Sequence, residues 1–287
     1  MSDLLLLDQG SALGIAVFAL LGLIFGSFLN VVIYRLPVMM QAQWQAQCAD
    51  LQGSEAPESP TFNLWVPGSR CRSCHTTLSW RENLPVISYA LQGGQCRHCA
   101  APISKRYPLV ELATALMFGF CAWRWGFGLD ALSWSFFVSA LLALALIDWD
   151  TTYLPDDITL PLLWAGLLAA WAGITRVSVG DAVAGAAAGY SFLWSIYWGF
   201  KLLTGKEGMG YGDFKLFAAL GAWFGWQALV PIILMASVIG TVIGLVLKFK
   251  SRLREGGYLP FGPFLAGAGL VAMVLEPARL LRLLGLS

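Results

Sequence analysis

Two short stretches place acidic residues where acids are costly. In Ile147–Asp157 (IDWDTTYLPDD), Asp148 directly follows the apolar run 140–147. An ionisable group at membrane depth is unfavourable unless it has work to do. The second stretch is Gly208-Met-Gly-Tyr-Gly-Asp213, just before Phe214. Its alternating glycines let the backbone bend sharply or approach another chain segment closely, and Asp213 then opens a helix. A phosphate-binding loop does not fit, because no strand precedes the glycines and no GK[ST] ending follows. Two facing carboxylates in a low-dielectric site cannot both ionise easily, so they share a proton. One form activates water while the other protonates or polarises a scissile carbonyl, and the titration belongs to the pair. That would be the chemistry of an aspartic peptidase. Taken singly, each motif has a plainer reading: an interfacial Asp reaching water, or a flexible loop capped by an Asp.

Four cysteines form a different constellation. Cys71-Arg-Ser-Cys74 and Cys96-Arg-His-Cys99 are CxxC pairs separated by 21 residues. Each turn can aim two thiolates at one ion, and two turns complete a tetrahedral Zn²⁺ shell. Four thiolates fill that shell, so the metal would be structural, with His75 and His98 beside the site. A redox CxxC would sit in a thioredoxin-like βαβ pattern, which is absent. Disulfides are disfavoured in a reducing cytoplasm. Cys48 and Cys121 read as unpaired, Cys121 as a small packing residue.

These residues must be positioned by a chain of unusual composition. Of 287 residues, 57% are hydrophobic and only 12% charged, with mean hydropathy +0.67. A soluble chain carries roughly twice that charged fraction. The net charge of +1 offers no field for a nucleic acid. The pattern predicts an all-α polytopic membrane protein of about eight transmembrane helices, at 11–34, 108–124, 131–147, 158–174, 181–200, 214–230, 231–247 and 259–275. Pro231 is the expected break between the sixth and seventh. Residues 1–10 hold Asp3 and Asp8 and no Lys or Arg, unlike a cleavable signal peptide.

With 35–107 on the cytoplasmic side, that side collects fourteen Lys and Arg residues and the other only four: Arg124, Arg176, Arg279 and Arg282. The positive-inside bias then places both termini outside, and Asp148 and Asp213 on the cytoplasmic face. The domains expected are a first transmembrane helix (1–36), a cytoplasmic four-cysteine zinc module (37–107) and a transmembrane domain carrying the aspartates (108–287). Within the module, 41–61 reads as a mobile connector. Fewer than 50 remaining residues cannot build much of a core, so a metal staple answers a stability problem. Asp156 and Asp157 are expected to cap the following helix. Asp3, Asp8, Asp50, Glu55, Glu58, Asp130, Asp181, Glu207, Glu255 and Glu276 read as solvated surface or helix ends.

The ordered motifs resemble those of the bacterial type IV prepilin peptidases, also called prepilin leader peptidase/N-methyltransferases. The resemblance rests on Gly26-Ser-Phe-Leu-Asn30-Val-Val-Ile-Tyr-Arg35-Leu-Pro37, both CxxC pairs, Trp80-Arg-Glu82-Asn83-Leu-Pro85 and Lys105-Arg-Tyr-Pro108-Leu-Val-Glu111. It continues through Ile147-Asp148, Leu154-Pro155-Asp156, Gly205 to Lys215 and Pro260-Phe-Gly-Pro263. Such proteins are GxGD-type membrane aspartic peptidases, similar to presenilin in active-site logic. The resemblance implies Asp148 and Asp213 as the catalytic pair, with Asp150 and Asp156 as the substitutes to test. It implies prepilin or pseudopilin substrates with a basic leader, cut after a Gly at the cytoplasmic face of the inner membrane. It also implies N-methylation of the new terminus with S-adenosylmethionine as donor. Composition and spacing are silent on that activity, since no Rossmann-like G-x-G-x-x-G pattern occurs. Glu82, Asn83 and Gly210 are further contributors, with packing roles equally open.

Two rivals make different demands. A transporter predicts acids in mid-span at matched positions of two repeated halves, whereas the informative acids here lie at span ends and no repeat is evident. A zinc-stabilised scaffold without chemistry predicts that Asp148 and Asp213 are dispensable.

Overall fold

A computed structural model describes residues 11–54, 61–250, 259–283 and 285. Asp3, Asp8, Glu55, Glu58, Arg252, Arg254 and Glu255 lie outside the described residues. Among the described residues ten α-helices follow in order: α1 (Ala12–Leu51), α2 (Ile87–Leu91), α3 (Arg106–Trp125), α4 (Leu129–Thr151) and α5 (Asp156–Trp171). Then come α6 (Val179–Thr204), α7 (Tyr211–Phe224), α8 (Leu229–Phe249), α9 (Gly262–Leu275) and α10 (Pro277–Leu283). The described residues form no β-strand beyond two isolated bridges. The chain divides into two compact units, 1–135 and 136–287.

In the first unit α1 packs along α3. Their backbones touch because the facing positions are small. A Cβ on Gly22 would lie 2.6 Å from the Ala115 Cα, and one on Gly26 would lie 2.6 Å from the Glu111 Cα. Gly22-x-x-x-Gly26 is thus a small-residue seam of the kind that lets membrane helices approach closely. Asn30 ties the pair further, its Nδ2 donating to the Tyr107 carbonyl at 3.1 Å.

α1 also corrects an expectation. It runs 40 residues, through Pro37 to Leu51, so the first half of the expected connector is helical. At 1.5 Å per residue it is about 60 Å long, twice the hydrocarbon thickness.

In the second unit α7 is the central element, packed by α5, α6 and α9. Asp213, Phe214 and every residue from Leu216 to Phe224 are buried, as expected of a helix apolar all round. Phe137, Leu141, Leu144 and Ile147 of α4 are buried, and the Phe137 ring lies 4.9 Å from that of Trp223. The Trp223 Nε1 donates to the Leu162 carbonyl at 2.8 Å. α6 and α7 meet at Gly185 and Gly221, where a Cβ on either would overlap the other's backbone carbonyl.

Each of the eight expected spans overlaps a helix, but the helices differ in reach. α1, α4 and α8 with its preceding turn are long and apolar enough to cross a membrane; α9 is apolar but shorter. α5, α7 and α9 have 16, 14 and 14 residues. The break expected at Pro231 falls instead at Gly225, whose φ of +79° ends α7. Pro231 sits in the first turn of α8, where a missing N–H costs nothing.

Candidate active site and metal centre

Asp148 and Asp213 reach one place from distant parts of the sequence. Asp148 lies in the last turn of α4, which ends at Thr152 with φ +61°. Asp213 is the third residue of α7. Both are nearly sealed, at 5% and 6% exposure, and lie close enough for the charge of Asp148 to act on Asp213. Each carboxylate accepts a bond from the start of a helix, where N–H groups lack partners within their own helix. Asp148 Oδ2 accepts from Gly262 N, the first residue of α9, at 2.9 Å. Asp213 Oδ2 accepts from Gly210 N at 3.3 Å. Asp213 Oδ1 is buried and has no hydrogen-bond partner among the described residues.

Glycines make this convergence possible. A Cβ on Gly262 would lie 2.5 Å from Asp148 Oδ2, and one on Gly212 would lie 2.6 Å from the Leu154 Cβ. Leu154 is wedged between the starts of α7 and α9, since its Cδ1 would also stand 3.2 Å from a Gly262 Cβ. The end of α4, the loop after it and two helix N-termini therefore close around the carboxylates. This was invisible in the sequence. Pro260-Phe-Gly-Pro263 carried no chemical signal of its own, and 114 residues separate Gly262 from Asp148.

The other acids of the 147–157 stretch are differently placed. Asp150 is exposed. Asp156 is half exposed and ion-paired with Lys215 Nζ at 2.7 Å. It lies in the first turn of α5 behind Pro155, which occupies the cap without a side-chain bond, so neither Asp156 nor Asp157 is the cap itself.

In the first unit the four cysteine sulfurs lie within 4.8 Å of one another, with Cys71 and Cys99 Sγ 3.8 Å apart. A tetrahedral ion with bonds of about 2.3 Å needs sulfurs about 3.8 Å apart, so the donor set fits zinc in chemistry and in span. The two CxxC turns are structural copies. His75 N bonds the Cys71 carbonyl and Ala100 N that of Cys96, at 3.1 and 2.9 Å. Cys71 N bonds the Thr76 carbonyl, and Cys96 N that of Ala101. His75 and Ala100 both take φ +56°. N–H groups of Cys74 and Ser73 push the Cys71 thiol down to about 6, which favours a thiolate ready for metal. His98 lies outside the sulfur cluster, with Nε2 3.4 Å from Glu82 Oε1. Ser79, through its hydroxyl and N–H, holds Glu82 below the usual carboxylate range. Cys48 is exposed and Cys121 buried within α3, neither in a disulfide.

Fold and site together define a membrane-helix protein with a two-aspartate centre and a separate four-thiol centre. Residues 20–125 match the bacterial Peptidase A24 N-terminal domain, and residues 135–245 match the type IV leader peptidase family. A relative from Stutzerimonas stutzeri named prepilin leader peptidase/N-methyltransferase is 51% identical over 256 residues, 88% of each chain. Relatives with the same name from Pseudomonas putida and Burkholderia pseudomallei are 49% and 48% identical. The matches cover 91% and 93% of this chain and 90% and 86% of theirs. This chain belongs to the type IV leader peptidase family. No solved structure matches it.

Proposed function

We propose that this protein cleaves the short basic leader from type IV prepilins or pseudopilins and then N-methylates the new N-terminal residue. The observation that carries the peptidase reading is the pair of buried carboxylates, each anchored through one oxygen at a helix start. Asp148 and Asp213 are the catalytic pair and share one proton, because two charges in so dry a site repel. The ionised member draws a proton from water as the water attacks the scissile carbonyl carbon. The neutral member donates its proton to the carbonyl oxygen, giving a neutral tetrahedral diol. The diol then breaks its C–N bond as one member of the dyad protonates the leaving amine and the other takes a proton from a diol hydroxyl, leaving a carboxylic acid and restoring the shared proton. Asp213 Oδ1, buried and without a hydrogen-bond partner among the described residues, is an atom poised for this exchange.

Cleavage after a Gly at the cytoplasmic face fits a substrate whose apolar helix stays in the bilayer while its basic leader stays in water. In this reading eight helices cross the inner membrane, both termini are periplasmic and the zinc module is cytoplasmic. The division of labour is a first transmembrane helix (1–36), the zinc module (37–107) and a peptidase domain (108–287). Zinc held by Cys71, Cys74, Cys96 and Cys99 staples the module. S-adenosylmethionine supplies the methyl group for the freed amine.

Purified prepilin cleavage by wild type, Asp148→Asn and Asp213→Asn, read by N-terminal mass, tests the reading. Asn keeps the shape but cannot cycle a proton. Folded, metal-loaded variants are expected to leave the leader intact, while wild type removes it and adds a methyl. Normal cutting by either variant removes that Asp from the mechanism and turns attention to Asp150 and Asp156.

A further inference from the structure

Asp148 and Asp213 are nearly sealed from solvent, yet a scissile carbonyl must reach both. Leu154, in the loop between α4 and α5, stands against both places at once. Its Cβ lies 2.6 Å and its Cδ1 3.2 Å from where a Cβ on Gly212, the residue before Asp213, would be. The same Cδ1 lies 3.2 Å from the corresponding point on Gly262, and that point is 2.5 Å from Asp148 Oδ2. The isobutyl group therefore bridges the Asp148 carboxylate and the start of α7. It is half-buried, so part of it remains open to an approaching chain.

The loop that carries Leu154 is held on both sides. Thr152 takes φ +61°, a conformation unfavourable for a β-branched residue, and its N–H donates to the Asp148 carbonyl at 2.9 Å. The Thr151 hydroxyl donates to the Ile147 carbonyl at 2.8 Å and accepts from Tyr153 N at 3.4 Å. After Leu154, the buried Pro155 has its φ locked by its ring. The Pro155 carbonyl accepts from Thr159 N at 3.0 Å and from the Thr159 hydroxyl at 3.1 Å. A wall fixed in this way can discriminate by size, which a mobile loop cannot.

Peptide chemistry decides which substrate residue meets this wall. The carbonyl carbon attacked by water is bonded to the Cα of the residue before the cut, so any side chain there begins next to the reacting atoms. The residue after the cut opens the apolar helix, which in the reading above stays in the bilayer. The residue before it belongs to the leader, on the side where α4 ends and the loop begins. We propose that Leu154 is the specificity-determining residue that restricts the position before the scissile bond to glycine, its methyl groups filling the space a substrate Cβ would need. The proposal rests on the leader-cleavage reading and names the side chain that sets its selectivity. The enzyme's own chain obeys the same limit, since a Cβ on Gly212 would collide with Leu154 and one on Gly262 with Asp148.

The test compares two purified prepilins, one with glycine before the cut and one with alanine there. Both are cleaved by the full-length, metal-loaded protein in detergent, and the readout is the alanine-to-glycine ratio of kcat/KM. Wild type is expected to favour glycine about 10- to 200-fold, the scale on which a pocket senses one added carbon. Leu154→Ala is expected to raise the ratio about tenfold or more, and Leu154→Val to raise it less. Leu154→Met conserves volume and is expected to hold the wild-type ratio. Because both rates come from one preparation, the folded fraction cancels, and a merely structural role leaves the ratio unmoved. A wild-type ratio in both Leu154→Ala and Leu154→Val overturns the inference and leaves the cleavage reading standing. So does a wild-type protein that cuts both prepilins equally well. Loss of all cutting by both variants also overturns it, since a side chain that only excludes bulk is not what cutting after glycine requires. A wild-type protein that cuts neither prepilin overturns the cleavage reading together with this one.

Discussion

Asp148 keeps one oxygen on the Gly262 N–H, and that bond exists because position 262 has no side chain. A methyl there would fall 2.5 Å from the carboxylate oxygen, so the aspartate or the start of α9 must shift. Gly262→Ala is expected to lower leader cleavage about 10- to 100-fold, the usual scale of a misplacement near 1 Å, with metal content unchanged. Cleavage rates beside metal analysis check this. Asp156 provides the contrast. It is half exposed and pairs with Lys215, an arrangement worth about 0–1 kcal/mol. Asp156→Asn is expected to shift the melting temperature little and to leave cleavage intact. The spacing of GxGD and the Asp after an apolar run made Asp148 and Asp213 readable from the chain. Gly262 was unreadable, because its role is a contact across 114 residues.

α6 and α7 depend on a backbone-to-backbone approach at Gly185 and Gly221. A side chain at Gly221 must push the two helices apart and take the start of α7, with Asp213, along. Gly221→Ala is expected to cost about 1–3 kcal/mol, as overpacking does, and to lower the denaturation midpoint. Gly199→Ala in α6 meets nothing within 4 Å. It is expected to be neutral or stabilising by up to about 1 kcal/mol through helix propensity. Thermal melts of both variants in the same detergent separate packing from propensity. Helix existence was legible throughout, since apolar stretches near 20 residues announce themselves. Helix ends were not: α1 continues through Pro37, and α7 stops at Gly225 rather than at Pro231.

For the whole molecule, the cysteine centre is the part that responds to solution conditions. Its thiolates bind metal only when deprotonated, so metal and protons compete. The Cys71 thiol, pushed down from 9.0 to about 6, favours the thiolate of the folded module. That contribution is fully present above the unfolded value and is lost as pH falls through about 6. Metal retention measured on a pH series is therefore expected to decline as pH falls. A chelator at neutral pH is expected to deprotect amides of 62–107 while α4, α7 and α9 stay protected. Hydrogen exchange resolved by peptide reads both regions at once.

Composition by itself determined that this chain belongs with a lipid bilayer, because 12% charged residues cannot cover a watery surface. Spacing determined the four thiols and the two aspartates, because a CxxC turn and a GxGD helix start are local devices written in adjacent residues. The tertiary structure decided what those devices touch: α7 buried on all sides, Asp148 held by the first N–H of α9, and Glu111 buried and holding the Val86 N–H. Such contacts join residues far apart along the chain. They depend on which glycines let backbones meet, a property of pairs of helices that neither helix shows alone.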